Sequence, residues 1–98
     1  MRGPWPAERG VLPRRQATLT DARFSELQGQ YLAFIAAYTK VNGRPPAEAD
    51  LQRYFKVTPP SVHSMILTLE RRGLIRRTPG LARSIEVLVA RDDLPRLD

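Results

Sequence analysis

Cysteine is absent from this 98-residue chain, and histidine occurs once, at position 63. The first absence excludes a disulfide framework and any thiolate metal site. The second leaves His63 without a fellow ligand, so no metal and no cofactor are expected. No apolar run approaches the ~20 residues that span a bilayer. The opening MRGPWPAERGVLPRRQ carries charge but no apolar segment, so it does not read as a secretory signal. Lack of cysteine suits a reducing cytoplasm, which is the expected location, and no membrane partner is expected. Acidic residues are in deficit, 10 against 16 Lys and Arg, for a net charge of +6. Such an excess fits a polyanionic partner, nucleic acid before an anionic membrane surface. The length suffices for one small domain.

Residues 1–23 read as a flexible basic arm. Pro4, Pro6 and Pro13 interrupt any periodicity, and five arginines outnumber Glu8 and Asp21. Order is expected from residue 24 to residue 89, with 90–98 as a C-terminal tail. Ser25 followed by Gln28 is a capping box. Leu27, Tyr31, Phe34, Ile35 and Tyr38 then recur at helical spacing, which predicts a first helix over Glu26 to Val41. Gly29 is a local weakness within it. Asn42-Gly43 supplies a left-handed stop, and Arg44-Pro45-Pro46 forces an extended link. A short second helix is predicted over Ala47 to Tyr54, with Glu48 and Asp50 at its positive end. Leu51, Tyr54 and Phe55 are placed to face the core. The turn after it contains no glycine.

Thr58-Pro59 opens a third helix, with Thr58 as cap and Pro59 where its missing N–H is harmless. Val62, Ile66 and Leu69 form the buried stripe, and Gly73 ends the helix. The period then changes. LIRR and SIEVLV are strand-like runs around Pro79-Gly80, with Ile85, Val87 and Val89 pointing inward. The expected fold is therefore mainly α with a small β-hairpin: a winged helix-turn-helix of three helices plus wing.

The third helix has an unusual face for a basic protein. From Thr58 to Glu70 it holds no Lys or Arg, and its outer positions include Ser61, Ser64 and Thr68, with His63 beside them. A helix entering a major groove reads base edges with its N-terminal exposed residues. Here those are Thr58, Pro60, Ser61, His63 and Ser64. Short hydroxyl side chains allow close approach, and the amides at a helix start favour a phosphate. Phosphate contacts are expected from Arg44, Lys56, Arg71, Arg76, Arg77 and Arg83 around the rim and on the wing. With ~4–5 phosphates contacted per monomer, log affinity should fall against log salt with a slope of about −4. Ser61, His63 and Ser64 do not make a catalytic set, because no orienting carboxylate or cleft accompanies them in the sequence, so no enzyme is expected. An alternative is a protein-interaction module, or a subunit of a nucleoprotein complex, using the same fold. RNA binding is disfavoured, because the aromatics sit at core spacing and leave no stacking platform.

Two blocks carry a family resemblance: the NGRPP link, and TPPSVHSMILTLERRGLIRRTPGLARSIEV. With the capped first helix and its Gln28, they resemble the N-terminal DNA-binding domain of LexA repressors, over about Phe24 to Val89. The resemblance implies a bacterial, winged helix-turn-helix regulator that binds double-stranded DNA, as a homodimer on an inverted repeat. It places the base-reading positions on Thr58, Pro60, Ser61, His63 and Ser64. LexA repressors also carry a self-cleaving C-terminal domain with a Ser–Lys dyad. The present sequence stops at Asp98 and contains no Ala-Gly bond, so self-cleavage is not expected of it.

Overall fold

The computed structural model describes residues 23–98. The expected arm over residues 1–23 thus lies outside the described residues, Arg23 excepted. Arg23 is held to the domain: its guanidinium stands 3.3 Å from the Asp93 carboxylate, and its carbonyl accepts from Arg72 at 2.9 Å.

Helix α1 spans Glu26–Asn42. Its cap is reciprocal. The Ser25 hydroxyl accepts from the Gln28 amide at 3.1 Å, and the Gln28 side-chain oxygen accepts from the Ser25 amide at 2.9 Å. Gly43 closes the helix in the left-handed region at φ 75°. The predicted apolar stripe is only partly right. Tyr31 and Ile35 are buried, but Leu27 is 54% exposed, whereas Leu32 and Ala33 are buried. The buried band is wider than one stripe because α1 is covered on two flanks, by the other helices and by the chain after the wing. Gly29 faces that second cover. A Cβ there would stand 2.9 Å from Pro95 Cγ and 3.0 Å from Phe24 Cε1. The apparent weak point in the helix is a packing surface.

Helix α2 spans Glu48–Phe55, and α3 spans Pro59–Arg71. Ala47 has no side-chain oxygen with which to cap α2. The return half of a cap is present nonetheless, with the Asp50 carboxylate accepting from the Ala47 amide at 2.8 Å. The turn between α2 and α3 passes through Lys56 at φ 57° and ψ 48°, a left-handed conformation in a position where glycine would be relaxed. Lys56→Gly is therefore expected to raise stability by about 1 kcal/mol, read as a higher urea midpoint. An unchanged or lower midpoint would show that Lys56 makes compensating contacts.

The hairpin is shorter than its apolar runs suggest. Strand β1 is Ile75–Arg76 and β2 is Glu86–Val87, antiparallel, with Ile75 opposite Val87 and Arg76 opposite Glu86. Beyond Arg76 the ladder gives way to side-chain bonds. The Thr78 amide donates to the Ser84 hydroxyl at 3.0 Å, and that hydroxyl is 2.9 Å from the Leu81 carbonyl. Pro79-Gly80 turns the chain, with Gly80 at φ 80° and the Leu81 amide bonded to the Thr78 carbonyl at 3.1 Å. Ile85 is buried, and Val87 and Val89 are half-buried.

Leu32, Ile35, Leu51, Val62, Ile66 and Leu69 have no exposed surface and join all three helices in one core, with Leu74, Ile75 and Ile85 closing it from the hairpin. Tyr31 stacks on Phe55 with ring centroids 4.1 Å apart. Tyr54, expected to face the core, is 41% exposed. It stacks on Phe34 at 4.4 Å, and its hydroxyl donates to the Asp98 carbonyl at 2.7 Å. A single 3₁₀ turn, Arg91–Asp93, begins the segment expected as a tail. The segment then runs back over α1. Gln30 donates to the Arg96 carbonyl and accepts from the Asp98 amide, both at 2.9 Å.

Candidate nucleic-acid interface

Positions 60, 64, 67 and 71 recur at helical spacing on the side of α3 opposite its buried stripe of Val62, Ile66 and Leu69. Pro60, Ser64, Leu67 and Arg71 therefore form the centre of its outer face, and all four are exposed. Ser61, Thr68 and half-buried Met65 lie on the flank toward α1. They share a shallow open groove there with Gln28, Pro60 and Ser64. His63 lies on the other flank, where its Nδ1 is 3.4 Å from a Glu48 carboxylate oxygen on α2.

Of the five expected base-reading residues, Ser61, Ser64 and Pro60 thus share one surface, and His63 borders it. Thr58 is committed differently. Its hydroxyl accepts from the Ser61 amide at 3.4 Å and lies 2.9 Å from the Ser61 hydroxyl. It is the cap, and it orients Ser61. The Ser64 hydroxyl has no partner among the described residues, so it is available to an acceptor or a donor.

The expected amide site for a phosphate at the start of α3 is not there. Pro59 and Pro60 have no N–H, the Ser61 amide is taken by Thr58, and the Val62 amide bonds the Thr58 carbonyl at 3.1 Å. The double proline that starts the helix also removes the donors that would draw an anion to it.

The expected phosphate residues separate into two groups. Arg44 and Lys56 are exposed on the links before and after α2, without an ion pair among the described residues. Arg71 is exposed at the end of α3 and donates to the Thr68 hydroxyl at 3.3 Å. The wing residues are paired. Arg76 bonds Glu86 across the hairpin yet keeps 67% of its side chain exposed. Arg77 is 3.1 Å from Glu70, with 18% of its side chain exposed. Arg83 departs most from its expected outward role. Its guanidinium turns into the domain and donates to the Tyr38 hydroxyl and to the Asp50 carboxylate, each at 3.1 Å. Gln28, Leu67 and Glu48 are the neighbours of the face that sequence reasoning left out. Leu67 was visible at its helical spacing from Ser64. The other two come from different helices, and no local pattern points to them.

Three helices closed by a two-stranded hairpin, with the third helix presenting a small polar face, define a winged helix-turn-helix DNA-binding module. The LexA DNA binding domain profile matches residues 12–84, and the chain belongs to that family. The match begins ahead of the first described helix. The chain is 33% identical over 72 residues to the LexA repressor of Thermosipho melanesiensis, covering 74% of this chain and 36% of that protein. It is 36% identical over 75 residues to the LexA repressor of Bacillus subtilis, covering 76% of this chain and 37% of that protein. The matched part is thus about a third of the length of these relatives. Among the described residues, no helix is long and apolar enough to cross a membrane.

Proposed function

We propose that this chain is a sequence-selective regulator that binds double-stranded DNA, with α3 in the major groove and the hairpin against the flanking backbone. The observation that carries the proposal is the outer face at the start of α3. Within a chain of net charge +6 it presents Pro60, Ser61 and Ser64, all exposed, with no cationic side chain before Arg71. A face built for affinity alone would be basic. A face of short hydroxyls lets the helix approach base edges closely, while phosphates are held from its margins. Arg44, Lys56, Arg71 and Arg76 supply that margin. Ser61, oriented by Thr58, and Ser64 read one side of the face. His63, set by Glu48, reads the other, and Leu67 is suited to a thymine methyl group. The relatives named above are repressors, and occupation of an operator by a pair of copies on an inverted repeat is the role assigned to this chain.

Selection of random duplex DNA on the purified protein, repeated at two salt concentrations, tests this reading. The expected product is one enriched sequence, bound with a log–log salt slope of about −4. Ser61→Ala and His63→Ala should each change preference at one base pair by ~1–3 kcal/mol. Arg71→Ala should weaken every duplex alike and reduce the slope by about one. Affinity that follows salt alone, with no enriched sequence, would sink the proposal.

A further inference from the structure

We propose that Arg83 is a positioning residue: it braces the wing against α1 and α2 through Tyr38 and Asp50, and so sets the wing's angle to the reading helix rather than contacting DNA itself. This inference rests on the DNA-reading function above. Four observations support it. The Arg83 guanidinium reaches the Tyr38 hydroxyl of α1 at 3.1 Å, the Asp50 carboxylate of α2 at 3.1 Å and the Pro45 carbonyl of the intervening link at 3.4 Å. These partners lie 45, 33 and 38 residues away in sequence, so one side chain ties the hairpin to two helices and their connection. Asp50 is 9% exposed, the one charged residue in the buried set among the described residues. It is also anchored independently of Arg83, by the Ala47 amide at 2.8 Å and by Arg53.

The fourth observation is the backbone of Arg83, at φ 57°. A non-glycine residue is unfavourable in that conformation unless its side chain makes compensating contacts. Here the long side chain turns back into the domain, and one guanidinium nitrogen, Nη1, shares its two N–H groups among acceptors from α1, α2 and the link between them. The hairpin needs such a brace because its ladder is only two residues per strand, Ile75–Arg76 and Glu86–Val87. A hairpin that short does not hold its own orientation. With the brace in place, the wing is ordered before DNA arrives. Without it, ordering the wing opposes binding.

The two roles for Arg83 give opposite results in one experiment. The full chain and its variants Arg83→Gln, Asp50→Asn and Tyr38→Phe are titrated against the selected duplex and a scrambled duplex at several salt concentrations. Urea unfolding corrects each affinity for the folded fraction. As a brace, Arg83→Gln and Asp50→Asn should each weaken the selected duplex by ~10-fold and the scrambled duplex much less, with the salt slope unchanged. Tyr38→Phe keeps every charge and removes one hydroxyl, so it should fold normally and lose ~3-fold in the same direction.

As a phosphate contact, Arg83→Gln would reduce the slope by about 0.9. Asp50→Asn would then tighten binding to both duplexes, by removing a negative charge and releasing Arg83. That pair of results overturns the inference. So does a loss of stability with both corrected affinities unchanged, which would leave Arg83 a purely structural tie. Amide exchange at Leu88, whose N–H bonds the Leu74 carbonyl at 2.9 Å, reads the brace without DNA. It should quicken in all three variants by more than the α3 amides do. If the parent chain shows no selective binding, the DNA-reading function fails, and wing exchange still decides the brace: unchanged rates refute it.

Discussion

Ile66→Ala should remove about 3 kcal/mol of stability, measured as the loss in urea unfolding free energy. Ile66 has no exposed surface and sits between Val62 and Leu69, which have none either. Truncation there loses the transfer energy of the missing carbons and leaves a cavity where the three helices and the hairpin converge. A domain this small has a total stability on the order of 5 kcal/mol, so the variant would be substantially unfolded at modest temperature. Leu67→Ala, one residue on but 38% exposed, is the control and should change stability by less than ~0.5 kcal/mol. DNA binding by Ile66→Ala should fall in proportion to the folded fraction and recover when stability is restored elsewhere. Equal effects at 66 and 67 would mean that α3 does not dock by the stripe described.

Asp50→Ala should be nearly as damaging, by about 2–4 kcal/mol near neutral pH, because it leaves the amide at the start of α2 and two guanidinium groups without their shared acceptor. The same carboxylate gives the domain an acid limb. The Ala47 amide is the main influence holding the Asp50 carboxyl below its ordinary value of 3.8. Burial opposes the shift, and the charges of Arg83 and Arg53 and the Tyr38 hydroxyl reinforce it. A carboxyl with a lower value folded than unfolded stabilises the fold fully above its unfolded value, and that contribution is lost as pH falls through the folded value. Stability of the parent chain should therefore drop below about pH 3.8 from this group. In Asp50→Ala that part of the drop should be missing. Urea midpoints from pH 2 to pH 6 measure the difference, and parallel acid limbs in the two proteins would remove Asp50 from the account.

The parts of this fold that were legible in the sequence are those specified by neighbours. Ser25 and Gln28 announce α1, Asn42-Gly43 ends it, Thr58-Pro59 opens α3, and Pro79-Gly80 turns the wing. In each the deciding bond or dihedral lies within four residues, so local chemistry suffices. Leu27 and Tyr54 were misplaced for a different reason. Spacing tells which residues share a face, but not how much of the helix its neighbours cover, and α1 is covered on two flanks. Arg83 reads as one more cation in a basic stretch until Tyr38 and Asp50 are brought to it from other elements. The outer face of α3 was largely visible, because Ser61 and Ser64 follow from the buried stripe by elimination. Its margins were not, since Gln28 and Glu48 arrive from α1 and α2. The missing amide site is legible in Pro59-Pro60, because two prolines cannot supply the donors expected of a helix start.

Gln30 clasps the backbone of Arg96 and Asp98, and Tyr54 holds the Asp98 carbonyl from a second helix. All of these bonds use main-chain atoms of Arg96 and Asp98, so no side chain of that segment is needed to make them. A fluorophore, an affinity handle or a second reading unit grafted after Asp98 would begin at a moored point with a heading inherited from α1, not at the end of a tether. In a designed tandem, the length of the spacer beyond that mooring would set which spacings between two binding sites can be bridged, and softening the spacer would dilute the advantage.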